Sequence, residues 1–203
     1  MHKLMKCMVW LDIMLILVFS GILVADKEYL SNNIVRLHVV AASDSEKDQN
    51  MKLLVRDAVT QYLEEKLSGI NSAQQAKEAM QSHLQAIEAA ANTVLSENGS
   101  RDMAKVTLCK EQFPIRNYDT FSLPSGVYES LRVTIGQGEG KNWWCVVFPS
   151  LCIPAASNEV QTEAVSSGFS QNLANTITGK KEYKLSFFLL DCIGKLENIF
   201  YIG

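Results

Sequence analysis

Past its N-terminal apolar stretch the chain offers two histidines, His38 and His83, and four cysteines, Cys109, Cys145, Cys152 and Cys192. A thiol hydrolase would need Cys145 or Cys152 beside an imidazole able to take the thiol proton. His83 falls in a polar and alanine-rich helical stretch and is expected to face solvent. His38 lies on the polar face of an alternating segment, close in sequence to Asp44, and is the better candidate for any site. The acidic pairs Asp44 with Asp48 and Glu64 with Glu65 have the spacing of a helix cap and a solvated face, not of an acid–base pair. The cysteines form one short pair among gaps of tens of residues, with no histidine nearby, which matches no zinc pattern. The expectation is therefore no catalytic residue, no metal site and no cofactor.

Two further groups carry information. The run GQGEGK resembles a phosphate-cradling loop, but a strand-like NWWCVVF follows it, where a helix N-terminus would have to face the anion. It reads instead as a glycine-permissive hairpin turn. The doublet Trp143 and Trp144 must send its indoles to opposite faces of a strand, one toward the core and one over the outer face or toward a partner. The rival for an exposed indole is stacking on a sugar. Asn142, Trp143 and Trp144, with His38 and Asp44, are the candidate partner contacts. Cys145 and Cys152, with Pro149 and Pro154 between and beside them, read as a disulfide staple, the alternative being two buried thiols.

These residues need elements to hold them. Ile34 to Val40 alternates as a half-buried strand with Val35, Leu37 and Val39 on one face and Arg36 and His38 on the other. After AASDSEKDQ, with Asp44 or Ser45 as cap, Met51, Leu54, Val55, Ala58, Tyr62 and Leu63 recur at helical spacing as far as Leu67, and Gly69 ends the helix. Ser72 and Gln75 form a capping-box pattern for a second helix running to Asn98 and Gly99 through Ala76, Met80, Leu84, Ile87 and Val94. Strand signals return over Met103 to Lys110. The connection FPIRNYDTFSLPSG is long for a compact domain and so a candidate functional loop. Tyr128 to Ile135 and Trp143 to Phe148 are expected to pair as a hairpin. A third helix over Glu159 to Thr178, bent near Gly168, a strand from Tyr183 to Leu190 and a short amphipathic tail complete the reading. The fold class expected is α+β, a mostly antiparallel sheet of four to five strands packed with a helix pair and a third helix.

The chain has 203 residues, 47% of them hydrophobic and 20% charged, which suits a folded domain with an ordinary core. A formal net charge of −3, with no basic stripe, argues against a nucleic-acid partner. Lys3 and Lys6 precede an apolar run from Met8 to Ala25, interrupted by Asp12, Ser20 and Gly21, which reads as an export signal or an uncleaved membrane anchor. The positive flank should stay inside and the body cross. The division expected is residues 1–25 as signal peptide or anchor, 26–33 as linker and 34–203 as one extracytoplasmic domain.

The segments NIVRLHVVAASDSEKDQNMKLLVRDAV and GVYESLRVTIGQGEGKNWWCVVFPSLC resemble the signature stretches of stage II sporulation protein R of endospore-forming bacteria. The likeness runs over essentially all the chain after Asn33. Ala42 stands where asparagine is expected, Ser150 where a second proline is usual, and the tail FFLLDCIGKLENIF lacks a tryptophan pair. The resemblance implies a secreted signal, not a catalyst. It would be made in the forespore and exported into the space between forespore and mother cell. There it would be required for a membrane-bound aspartic protease of the mother cell to process the precursor of an early sigma factor. The alternative is an extracytoplasmic module that binds wall glycan, or a wall hydrolase.

Overall fold

The structure, a computed structural model, describes residues 2–118 and 121–149. Among the described residues three helices, α1 (His2–Asn33), α2 (Glu46–Lys66) and α3 (Ala73–Glu97), accompany six strands. These are β1 (Val35–Val40), β2 (Ala104–Phe113), β3 (Arg116–Asn117), β4 (Ser122–Leu123), β5 (Gly126–Ile135) and β6 (Asn142–Phe148). The helix expected over 159–178, the strand over 183–190 and Cys152 lie outside the described residues.

The α+β class holds, and the pairing is the correction. The main sheet has the order β2-β5-β1-β6, and its central pair, β1 with β5, is parallel. Both flanking pairs, β1 with β6 and β2 with β5, are antiparallel. The sheet is mixed, not mostly antiparallel, and β5 and β6 do not form the expected hairpin. Two alternating strands around a glycine turn look alike whether they pair directly or leave room for a third strand. Here β1 fills that room, buried at all six of its residues. Its register sets Leu37 opposite Leu131 on one side and Cys145 on the other.

The connection between β5 and β6 must therefore pass the end of β1, two strand spacings or about 10 Å. Its glycines make that path possible. Gly136 and Gly138 have φ of 56° and 68°, and a Cβ on Gly140 would sit 2.2 Å from the Ser43 carbonyl oxygen. Gly140 N–H donates to Ala41 O at 2.9 Å, and Lys141 N–H donates to Asp44 Oδ1 at 2.8 Å. The glycine run and the turn after β1 are thus bound together.

Ser45, not Asp44, caps α2, its side chain accepting from Asp48 N–H. The stripe α2 buries is Lys52, Val55, Val59 and Leu63, while Leu54 stays exposed. Ser72 caps α3 as its pattern predicts, accepting from Gln75 N–H. Ala73, Ala76, Met80, Ile87, Ala91 and Leu95 form its buried face, small enough for close approach to β2. α2 and α3 cover Val35, Leu37, Val39, Leu131, Val133 and Val147 in the larger core. A second cluster on the opposite face joins Leu30, Ile34, Phe113, Phe121, Leu123, Tyr128 and Val146.

Residues 26–33, read from composition as a polar connection, are the last turns of α1. Leu30 is buried in the second cluster, and Ser31 Oγ donates to Val127 O at the start of β5. Among the described residues no helix is long and apolar enough to cross a membrane.

Candidate functional site

On the sheet face away from α2 and α3, β1 contributes Arg36 and His38, β6 contributes Asn142 and Trp144, β2 contributes Glu111 and Phe113, and β5 contributes Tyr128 and Arg132. The strand period of two puts each of these on one side. His38 is 4% exposed. Its Nδ1 lies 3.2 Å from both Glu111 carboxylate oxygens and its Nε2 2.9 Å from Asn142 Oδ1. The imidazole stacks on Trp144 with ring centres 3.7 Å apart, and Phe113 meets that indole edge-on at 4.7 Å. Arg132 Nη1 donates to Glu111 Oε1 at 2.8 Å.

Burial pushes the Glu111 carboxyl up, but hydrogen bonding from His38 and Ser130 and the charge of Arg132 outweigh it, holding Glu111 below the ordinary carboxylate range. An ionised Glu111 can only accept, so the proton in that contact is on His38 Nδ1, while Nε2 lies against the side-chain amide of Asn142. Both ring nitrogens thus face side chains of the fold.

Arg36 is fully buried. Its guanidinium lies 4.0 Å from the centre of the Phe113 ring and 5.1 Å from that of Tyr128. Nη2 donates to the Tyr118 hydroxyl at 2.8 Å, whereas Nε and Nη1 have no hydrogen-bond partner among the described residues. Burial pushes Arg36 below its ordinary value, with Tyr118 and Tyr128 acting against that shift. Tyr118 belongs to the arm formed by β3 and β4, which the long connection supplies. Tyr118 stacks on Phe121 at 4.4 Å, and Arg116 stands 5.7 Å from the Trp144 ring centre. The arm is thereby pinned over the Arg36 and Trp144 side of the sheet.

The five candidate contacts divide accordingly. His38, Asn142 and Trp144 come together. Trp143 points to the helix side, where Arg56 lies 4.3 Å from its ring centre and its Nε1 is buried without an acceptor among the described residues. Asp44 does not reach His38; it holds the backbone of Lys141, one residue before Asn142. Below that turn Lys52 Nζ donates to Gln49 Oε1 at 2.7 Å and to Lys141 O at 3.1 Å. Cys145 is disulfide-bonded and Cys109 is a free thiol; the partner of Cys145 lies outside the described residues.

Sequence reasoning missed Arg36, Glu111, Tyr118 and Arg132. Arg36 shares the alternating face of His38, a signal that was present. Glu111 and Arg132 reach that face only through a pairing order that the local pattern does not contain.

The two stretches that carry the resemblance are thus neighbours in space, β1 and its turn against β5, the glycine loop and β6. The family described as Stage II sporulation protein R matches residues 31–183. The chain belongs to the stage II sporulation protein R family. Stage II sporulation protein R of Bacillus subtilis (strain 168) is 33% identical over 153 residues, covering 73% of this chain and 68% of that protein. No solved structure matches. The family match begins at Ser31, in the last turn of α1 where the helix joins the sheet, and includes every residue of the His38 and Arg36 networks.

Proposed function

We propose that this chain is an exported sporulation signal that acts by contact. Its partner on this reading is a membrane-bound aspartic protease of the mother cell, and the outcome is processing of an early sigma-factor precursor. The observation that carries it is membership of the stage II sporulation protein R family over residues 31–183. Two features support it. Met8, Trp10, Leu11, Leu15 and Leu17 of α1 are exposed large apolar side chains left out of both cores, as suits a segment made for export or anchoring behind Lys3 and Lys6. His38 is almost wholly covered, with both nitrogens facing side chains of the fold, which supports a face that recognises a partner over one that transfers protons.

A wall-glycan module would need a free indole face. His38 already covers one face of Trp144 and Arg116 lies close to the ring, which leaves little of it for a sugar. The proposed site of action is the space between forespore and mother cell, reached through residues 1–25, with Cys145 and Cys152 as the pair expected to oxidise there.

The test is co-expression in a non-sporulating cell of this chain, the protease and its sigma-factor precursor, with immunoblotting for the shortened product. Processing should require this chain and its export. Equal processing without it, or with a version lacking residues 1–25, overturns the proposal. Release of soluble fragments from purified peptidoglycan would put a wall enzyme in its place.

A further inference from the structure

Where α1 meets the domain there is a cavity of about 390 Å³, lined among others by Ser31, Asn32, Gln74, Lys77, Lys110 and Glu129. It is formed by the last turn of α1, the first turns of α3, the end of β2 and the start of β5. Lys77 Nζ pairs with Glu129 Oε1 at 2.5 Å, which leaves that ammonium two further N–H donors. Lys110 has no acidic partner among the described residues. The charged side chains named therefore sum to one excess positive charge, beside the amides of Asn32 and Gln74. Ile34, Val35, Ala73 and Val127 complete the lining, so the N–H donors of Lys77, Lys110, Asn32 and Gln74 supply its polar contacts, which suits an anionic group with several acceptor oxygens.

The place of the cavity along α1 narrows the choice. Ser31 stands six residues beyond Ala25, the end of the apolar run, which is about 9 Å along a helix axis. The polar headgroup layer on each side of a bilayer is roughly 5–8 Å deep. If residues 1–25 sit in the membrane, the cavity mouth lies at the outer limit of that layer. We propose that the cavity seats the phosphate of an anionic phospholipid headgroup, with Lys110 and Lys77 as its cationic contacts, and so orients the domain on the membrane surface. This rests on the reading of residues 1–25 as membrane-inserted.

The experiment uses the full chain with lipid nanodiscs of phosphatidylcholine alone or with added phosphatidylglycerol. Lysine acetylation is followed by mass spectrometry, with Lys105 as reference. Lys77 and Lys110 should be modified about fivefold more slowly in the anionic discs, the worth of one lysine contact at an anionic surface, and Lys105 equally in both. Lys110→Gln should lower the preference for anionic discs about fivefold, whereas Lys105→Gln should not. Equal labelling in the two discs, or equal effects of the two substitutions, overturns the site and leaves only diffuse charge attraction.

Association with neutral discs is scored separately and tests the membrane reading alone. Should the chain stay in solution there, glycerol 1-phosphate decides. Its protection of Lys77 and Lys110 supports a phosphate site filled from solution, and its failure to protect them overturns the site.

Discussion

Glu111 is the side chain on which the buried polar face turns, because it receives both the His38 imidazole and the Arg132 guanidinium. Its pKa in the folded chain is held below the ordinary value. A depressed carboxylate contributes stability that is present above the unfolded-state pKa and disappears as pH falls through the folded value. Urea unfolding at pH 7 is expected to show Glu111→Gln destabilised by about 1.5–3 kcal/mol, the range for hydrogen bonds to a charged group. The difference from the parent chain should shrink progressively below about pH 4.3, the unfolded glutamate value. A constant difference from neutral to strongly acid pH would show that Glu111 acts through shape and not charge. Half of this site was legible in the sequence. His38, Asn142 and Trp144 were marked by type and by the alternation of their strands. Arg36 and Glu111 were not, because a charged residue on an alternating strand signals solvent until the opposite face proves to be covered as well.

At the scale of elements, the loop from Gly136 to Lys141 and the edge strand β2 each depend on contacts that no local pattern announces. Gly140→Ala would force a Cβ against the Ser43 carbonyl, and the backbone must move because the obstacle is itself backbone. A cost of about 1–3 kcal/mol is expected, the range for overpacking. Weakened shielding of His38 should accompany it, since Asn142 begins just beyond the loop; NMR of the His38 ring protons against Trp144 would report this. Among the described strands β2 lies at the edge of the sheet, where outward groups would otherwise be open to another chain. α3 closes that edge: Asn92 donates to Ala104 O and accepts from Ala104 N–H, and Glu88 accepts from Val106 N–H. Asn92→Ala should cost about 1–3 kcal/mol by orphaning a largely covered amide and should speed hydrogen exchange at Ala104 more than at Leu131. α2 and α3 were readable to within a residue or two from their serine caps and following glycines. The hairpin error arose because period-two alternation records which face a residue takes and says nothing about which strand lies next to it.

For the molecule as a whole, α1 joins the domain at its last turn through Leu30 and Ser31, while Met8, Trp10, Leu11, Leu15 and Leu17 stay exposed. A chain starting at residue 26 should keep the stability of the full domain. One starting at residue 34 should lose about 2–3 kcal/mol, from Leu30 burial and the Ser31 bond to Val127. Chemical denaturation of the two truncations decides it, and equal midpoints would show that α1 only delivers. The buried β1 has a last consequence, one of timing. It is the first strand of the domain in chain order, yet its neighbours, at residues 126–135 and 142–148, come roughly a hundred positions later. Such distant pairing is slow, and β1 stays unpaired until the far strands are available to it. If the chain is exported as proposed, the face built on β1 can form only after translocation has passed residue 148. The order of the strands would then delay any partner's engagement until that point.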